Sequence, residues 1–372
     1  MKVVFLSPPQ NEKLCPSLGI AYIAALLNKN GHQVALHDGA NSSVTEMTNY
    51  IGKLAPDIVG ITVNTTNRFE ALELAKSIKK RYNLPIILGG PHPTLMTEQL
   101  LQNYKFIDFI VRNEGEYTTL NLINTLEKKE SPEKVLGISY RKKNQIINNP
   151  PAPIIENLDD LPFPEWKFFD LDKYVKDSEF PKKYQNAPHG SIISSRGCPF
   201  NCTFCSSSDF WGRKIRFRSA KNVVDEMKML YNLGIRFILF NDDNLTSNKK
   251  RAIEICKLII EEGLNKEMGW QCRAEVNVID DELVYWMKQA NCTMVEFGIE
   301  DCTDEGLKWF KKGHREFQVK KAFEICKKYN IEIKSYFIIG GDHETKKNLI
   351  LKRDYIEELD PDITKEIGRA HV

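Results

Sequence analysis

The sequence has almost no net charge and no long apolar run. It carries 52 Lys and Arg against 50 Asp and Glu over 372 residues, a formal net charge of +2. So even a balance gives no general attraction to nucleic acid or to an acidic membrane surface. No stretch approaches the roughly 18 apolar residues of a membrane span. The opening MKVVFLSPPQ has too short an apolar run for a signal core of about 7–15 residues, and two prolines follow it. The expected compartment is therefore the cytoplasm, where thiols stay reduced and clustered cysteines point to metal or catalysis rather than disulfides. Short-period repeats and low-complexity tracts are also absent.

What is present is an alternation of strands and helices in two series. In the first, apolar runs at 2–7, 33–38, 57–63, 85–90 and 106–112 alternate with helical patterns such as 17–31 and 69–82. This spacing predicts a parallel sheet covered on both faces, with ligands bound at the carboxyl ends of its strands. Those ends read SPPQN, NTTN, GGPHPT and RNEGEYT. Each alone is ordinary turn chemistry; four on one edge favour a ligand site. A hairpin is expected at 137–150, then a proline-rich, acidic connector at 150–166. A second series follows, with strands at 191–195, 236–242, 270–276, 293–300 and 333–341. It has the βα repeat of a full or partial barrel, whose chemistry sits at the strands' carboxyl ends. The expected organisation is a Rossmann-like (flavodoxin-like) domain over 1–135, a hairpin and linker over 136–185, and a partial βα barrel of about five strands over 186–372.

Three of the nine cysteines, Cys198, Cys202 and Cys205, fall in the stretch SSRGCPFNCTFCSSS directly after the first barrel strand. The other six, Cys15, Cys256, Cys272, Cys292, Cys302 and Cys326, are scattered and read as small core hydrophobes. A structural zinc site takes four protein ligands, often as two paired knuckles, and no second pair occurs here. Three thiolates on one loop suit an iron–sulfur cubane with its fourth iron open, and an open position is what a catalytic metal keeps for a substrate. Gly197 and Pro199 fit a loop wrapped closely around a cluster, and Phe204 can shield it from water.

The motif CPFNCTFC resembles the C-x3-C-x2-aromatic-C signature of the radical S-adenosylmethionine (SAM) superfamily. The resemblance implies a 4Fe–4S cluster whose open iron chelates SAM, and reductive cleavage of SAM to a 5'-deoxyadenosyl radical. It also implies an electron donor such as flavodoxin or ferredoxin. Further stretches match position by position. In FNDDNLT, Asp242 and Asp243 would meet the methionyl amino group or the ribose; the plain alternative is a solvated helix cap. In WQCRAEV, Arg273 would pair with the methionyl carboxylate. In EFGIE, Glu300 would face the cofactor; for both residues the alternative is an interior ion pair. The family's usual serine after that glutamate is Asp301 here. In FIIGGDHET, Gly340 falls in the fifth-strand glycine motif, where Gly-Leu-Pro-Gly is usual and Gly340, Gly341, Asp342 and His343 stand.

The order of domains resembles the cobalamin-binding subgroup of that superfamily. PSLGIAYIAALLNKNGHQVALHD, GGPHPT and NEGEYT match its front domain, with Asn113 where glycine is common. The Asp-x-His-x-x-Gly motif that supplies a lower cobalt ligand in many cobalamin domains is absent. His32 and His37 have the wrong neighbours, and His92 reads as a loop residue. By position, Ser7, Asn64, Thr65, Thr66, Gly89, Gly90 and Glu116 would hold the corrin edge. The resemblance implies cobalamin-dependent methylation of an unactivated carbon on a small-molecule, lipid or peptide substrate, with no nucleic acid indicated. Three alternatives stand beside it: another radical reaction such as rearrangement, cyclisation or oxidation; a front domain that serves structure or substrate binding; and a non-catalytic metal-binding or electron-transfer protein. No residue is assigned as catalytic. PDIT (361–364) is a possible start of a sixth strand, whereas EIGRAHV (366–372) shows no strand pattern and reads like translated adapter sequence. A truncated gene is therefore expected.

Overall fold

The computed structural model describes residues 1–10, 16–174 and 180–368. Cys15 and the last four residues of the suspected adapter stretch lie outside them. The chain divides into two compact units, 1–173 and 174–372.

The first unit is a seven-stranded sheet. Its strands are β1 (Lys2–Gln10), β2 (Gln33–Ala40), β3 (Ile58–Thr62), β4 (Ile86–Gly89), β5 (Phe109–Val111), β6 (Ile138–Lys142) and β7 (Gln145–Asn148), in the order β2-β1-β3-β4-β5-β6-β7. The first five are parallel. β1 is an interior strand, paired with β2 and β3, and Val3, Val4, Phe5 and Leu6 are apolar without a break and buried on both faces. Helices Leu18–Lys29, Val44–Leu54, Arg68–Tyr82 and Glu116–Glu127 cover the sheet. The second opens with a capping box between Ser43 and Glu46. The order 2-1-3-4-5 is flavodoxin-like, and its winding reverses between β1 and β3. The hairpin β6–β7 does not stand apart as a linker. β6 pairs antiparallel with β5, Ile110 opposite Ser139, and so extends the front sheet. The reason is its apolar face: Ile138 and Tyr140 are buried.

The second unit is a six-stranded sheet that runs in chain order. It comprises β8 (His189–Ile192), β11 (Phe237–Phe240), β12 (Gly269–Ala274), β13 (Cys292–Glu300), β14 (Glu332–Ile339) and β15 (Ile363–Gly368), all parallel. Between β8 and β11 lies a two-stranded ribbon, β9 (Ser195–Arg196) with β10 (Arg216–Phe217). Helices Ala220–Asn232, Lys249–Glu261, Asp281–Gln289, Glu316–Lys328 and Lys346–Leu359 alternate with the main strands. All but Glu316–Lys328 begin at a side-chain cap; Asp280, for example, accepts from Leu283 N–H at 2.9 Å. The fold class is thus as expected, a flavodoxin-like domain before a partial βα barrel, with two differences. The barrel series has six strands rather than about five, and the sixth includes Glu366–Gly368, where the sequence shows no alternation. Backbone pairing along β14, Ser335 opposite Thr364 through Ile339 opposite Gly368, supplies the order that side-chain pattern does not.

Candidate active site

The cysteine loop leaves the carboxyl end of β8. Its turn needs Gly197: φ is +96°, and a Cβ there would lie 2.5 Å from the Lys214 carbonyl oxygen. Cys198 and Cys202 are half-buried and Cys205 is exposed; all three are free thiols. Burial pushes the Cys198 thiol up to about 11, and Asp243 and Glu275 add to the effect. Cys205 N–H donates to Cys202 O at 3.2 Å, and Ser207 N–H donates to Cys205 Sγ at 3.4 Å. The thiols share one tight loop, yet among the described residues no three His, Cys, Asp or Glu side chains close on a common point. Phe204 packs edge-on against Phe310, ring centres 5.6 Å apart, while 42% exposed. The scattered cysteines follow expectation where described: Cys256, Cys272, Cys292 and Cys326 are buried, and Cys302 is half-buried.

The adjoining strand ends carry the other expected residues. Asp242 is a correction. It is neither a solvated cap nor open to a ligand, being 0% exposed. It accepts from Ser194 N–H at 3.1 Å, from Ser194 Oγ at 2.9 Å and from Ser195 Oγ. Burial raises its pKa; those bonds and the Arg251 charge oppose the rise. Asp242 therefore ties the end of β11 to the root of the cysteine loop. Asp243, next to it, is exposed and accepts from Ser207 Oγ. Arg273 is about half exposed and pairs with Glu296, Nε to Oε2 at 3.5 Å. Glu296 also accepts from Gln271 at 2.7 Å and Tyr336 at 2.9 Å.

Glu300 ends β13 with φ +71°, the left-handed region unusual for a side chain of its size. A bulge between Gly298 and Glu300 precedes it. A Cβ on Gly298 would meet the Glu300 carboxylate at 2.5 Å, so that glycine makes its room. Burial raises Glu300 to about 7, against the pull of Lys312, whose Nζ is 3.9 Å away. Lys312 lies closer to Glu275, at 2.9 Å, and Glu275 also meets His314 Nδ1 at 3.3 Å. Burial works against the Glu275 charge, but His314 and Lys312 outweigh it and hold its carboxyl below the ordinary value. The direct hydrogen bond separates the two glutamates' behaviour.

Gly340 follows β14 with φ +94°. Beside it is a buried network that the sequence pattern does not reveal. Asp301 meets His343 at 3.3 Å and Lys352 at 3.2 Å. Lys352 also donates to Glu344, which accepts from Gly341 N–H at 3.2 Å. Lys352 and Lys312 sit outside the matched stretches, and Glu275 and Glu344 lie inside WQCRAEV and FIIGGDHET without an assigned role. A signal was nonetheless present, since Lys352 falls on the apolar stripe of its helix with Tyr355 and Leu359.

In the first unit three of the expected loops follow β3, β4 and β5; SPPQN is a correction, since residues 7–10 continue β1 to Gln10 and Asn11 lies outside the described residues. Asn64, Thr65 and Thr66 are exposed, and Gly89 and Gly90 are half-buried. Gly90 has φ +104°, and a Cβ there would lie 2.8 Å from Val63 O. Ser7 and Glu116 are corrections of access: at 1% and 4% exposure they lie beneath the edge rather than on it. The reason is packing, since Ser7 lies on an interior strand paired on both sides and Glu116 opens a helix whose first turn buries it with Thr118 and Thr119. His92 Nδ1 is 3.2 Å from Thr65 Oγ1, and burial lowers its pKa.

Comparison with known proteins agrees with both units. The Radical SAM superfamily model matches residues 192–351, and the B12 binding domain model matches 11–123. The chain is 35% identical to an uncharacterized methyltransferase of Pyrococcus horikoshii, over 97% of this chain and 79% of that one. It is 30% identical to the anaerobic magnesium-protoporphyrin IX monomethyl ester cyclase of Cereibacter sphaeroides, over 94% of this chain and 58% of that one. Its fold matches TsrM from Kitasatospora setae, a radical SAM methyltransferase with cobalamin and a [4Fe-4S] cluster bound, at TM-score 0.82 and 20% identity, over 98% of this chain and 72% of that one. It also matches cobalamin-bound OxsB, at 0.81 and 22%, over 98% and 53%. The chain belongs to the cobalamin-binding radical SAM family.

The family's groups are a 4Fe–4S cluster, SAM and cobalamin, and the residues fit them. Three free thiols on one glycine-turned loop are a cluster's donor set. The edge of β3 and β4 presents exposed amides and hydroxyls, and the close approach at Gly90 leaves no room for a Cβ. His92 is held by Thr65, so the donors this edge would offer are hydroxyl and amide groups. No helix among the described residues is long and apolar enough to cross a membrane.

Proposed function

We propose that the chain carries out cobalamin-dependent radical methylation of an unactivated carbon. The observation that carries this reading is the pairing, in one chain, of a three-thiol loop after β8 with a B12-type sheet whose edge is rich in exposed hydroxyl and amide groups. When bound, the cluster supplies the electron that cleaves SAM, and cobalamin supplies the methyl group. Cys198, Cys202 and Cys205 would hold the cluster, on a loop fixed by Gly197 and by the Asp242 anchor. Asp243 and Arg273, both exposed at strand ends, would hold the polar groups of SAM, with Arg273 suited to a carboxylate. Glu300 and Gly340 would line the same ligand. Asn64, Thr65, Thr66, Gly89 and Gly90 would hold the corrin edge through hydroxyl and backbone contacts. A one-electron donor of the flavodoxin or ferredoxin type is required.

The cyclase relatives favour a second reading, a radical reaction without methyl transfer. The test is anaerobic reconstitution with iron, sulfide and hydroxocobalamin, then incubation with reductant and SAM. About four irons and one cobalt per chain, with both 5'-deoxyadenosine and S-adenosylhomocysteine formed, supports methylation. 5'-Deoxyadenosine alone favours the second reading. Neither metal nor product overturns both.

A further inference from the structure

The segment Phe310–His314 matches no motif discussed above, yet it forms one wall of the cysteine loop. Thr203 N–H donates to Phe310 O at 3.1 Å. A Cβ on Gly313 would fall 2.8 Å from the Phe200 ring, so Gly313 and Phe200 are in close contact. Asn277 Nδ2 holds Gly313 O at 3.2 Å from the other side. Two contacts therefore bracket Cys202 on one strand of the loop and Lys312 on the other. Lys312 is itself 4% exposed, with Nζ 2.9 Å from Glu275 and 3.9 Å from Glu300. Burial opposes its charge, but the two glutamates hold its pKa above the ordinary value. A buried ammonium thus stands behind the cysteine loop, fixed by partners on β13 and just after β12.

We propose that Lys312 is a positioning residue: held by Glu275, it fixes Glu300 in its left-handed conformation and sets the electrostatic potential at the Cys202 side of the loop. This rests on the cluster assignment above. Charge near an iron–sulfur cluster tunes its reduction potential. A fixed cation there favours the reduced form, and Glu275 opposes it.

The experiment is an EPR-monitored redox titration of the reconstituted full chain, with iron content measured in parallel, for wild type, K312M, K312R and E275Q. The expected result is a more negative midpoint for K312M, about tenfold less reduced cluster at fixed potential, which is 59 mV for one electron. K312R should restore the wild-type midpoint, and E275Q should shift it the opposite way. A purely structural role predicts lower iron content in K312M and E275Q alike, with unchanged midpoints in what cluster remains. That result, or equal midpoints at full iron content, overturns the proposal. Should K312M fail to fold, an E275Q midpoint unchanged or shifted negative overturns it by itself. Failure of wild type to bind iron would instead overturn the cluster assignment.

Discussion

Replacing Asp242 separates anchoring from ligand binding. Its carboxylate takes three donors from two residues, Ser194 N–H and Oγ and Ser195 Oγ, with no exposure to solvent. In D242A all three donors are left buried without that partner, at about 1–3 kcal/mol each before relaxation. Removing the buried charge offsets part of this. Arg251 loses a counter-charge but keeps its bonds to Arg218 O at 2.7 Å and Ser194 O at 2.9 Å. The expected net loss is about 3–5 kcal/mol. D242N keeps one oxygen for the hydroxyls, so about 1–3 kcal/mol is expected. Urea unfolding followed by tryptophan fluorescence reads the stability, and equilibrium dialysis reads SAM affinity. Iron content should fall in step with stability, because Ser194 and Ser195 lead into Cys198. If D242N unfolds like wild type yet loses SAM affinity, the carboxylate is a ligand contact and the anchor argument is wrong.

G197A puts a side chain at φ +96° and 2.5 Å from Lys214 O. The backbone term alone is about 1–2 kcal/mol, and iron content should drop while far-UV circular dichroism holds; full iron loading would show that the turn does not need glycine. Glu300 has a folded pKa of about 7 against an ordinary 4.5, so its stabilising contribution is complete below about pH 4.5 and lost as pH rises through 7. E300Q should therefore gain on wild type across that window, by up to about 3 kcal/mol at 1.36 kcal/mol per pH unit; parallel stability–pH curves would refute this. K352M leaves Asp301 and Glu344 buried without their cation and should cost about 3–5 kcal/mol in denaturant unfolding; a change under about 1 kcal/mol would mean that the network is not held by charge.

The βα alternation was legible because central parallel strands are apolar on both faces, as Val3–Leu6 and Phe237–Phe240 are. The cysteine loop was legible because thiolate spacing is a local property. What stayed hidden depends on distance in sequence. Asp242 has the same local look as Asp243, and only packing against Ser194 and Ser195, about 48 residues earlier, separates a buried anchor from an exposed group. β15 was half hidden because its order comes from backbone pairing with β14, and its side chains grow exposed towards Gly368. Lys312 and Glu275 are 37 positions apart; Lys312 lies in no matched stretch, and nothing local in WQCRAEV marks Glu275 as its partner.

Asp301 and His343 both stand where the resembled family pattern has other residues, and they touch at 3.3 Å. They are also joined through Lys352 to Glu344, which receives the Gly341 amide. Four positions in three segments therefore answer to one another. Serine at 301 alone would take from Lys352 and His343 a shared carboxylate, leaving Lys352 with Glu344 and the Ile338 carbonyl, whereas a neutral residue at 352 alone would strand two carboxylates. A lineage could exchange one arrangement for the other only in a restricted order of steps. The effect of any single change here is set by the genetic background in which it arises.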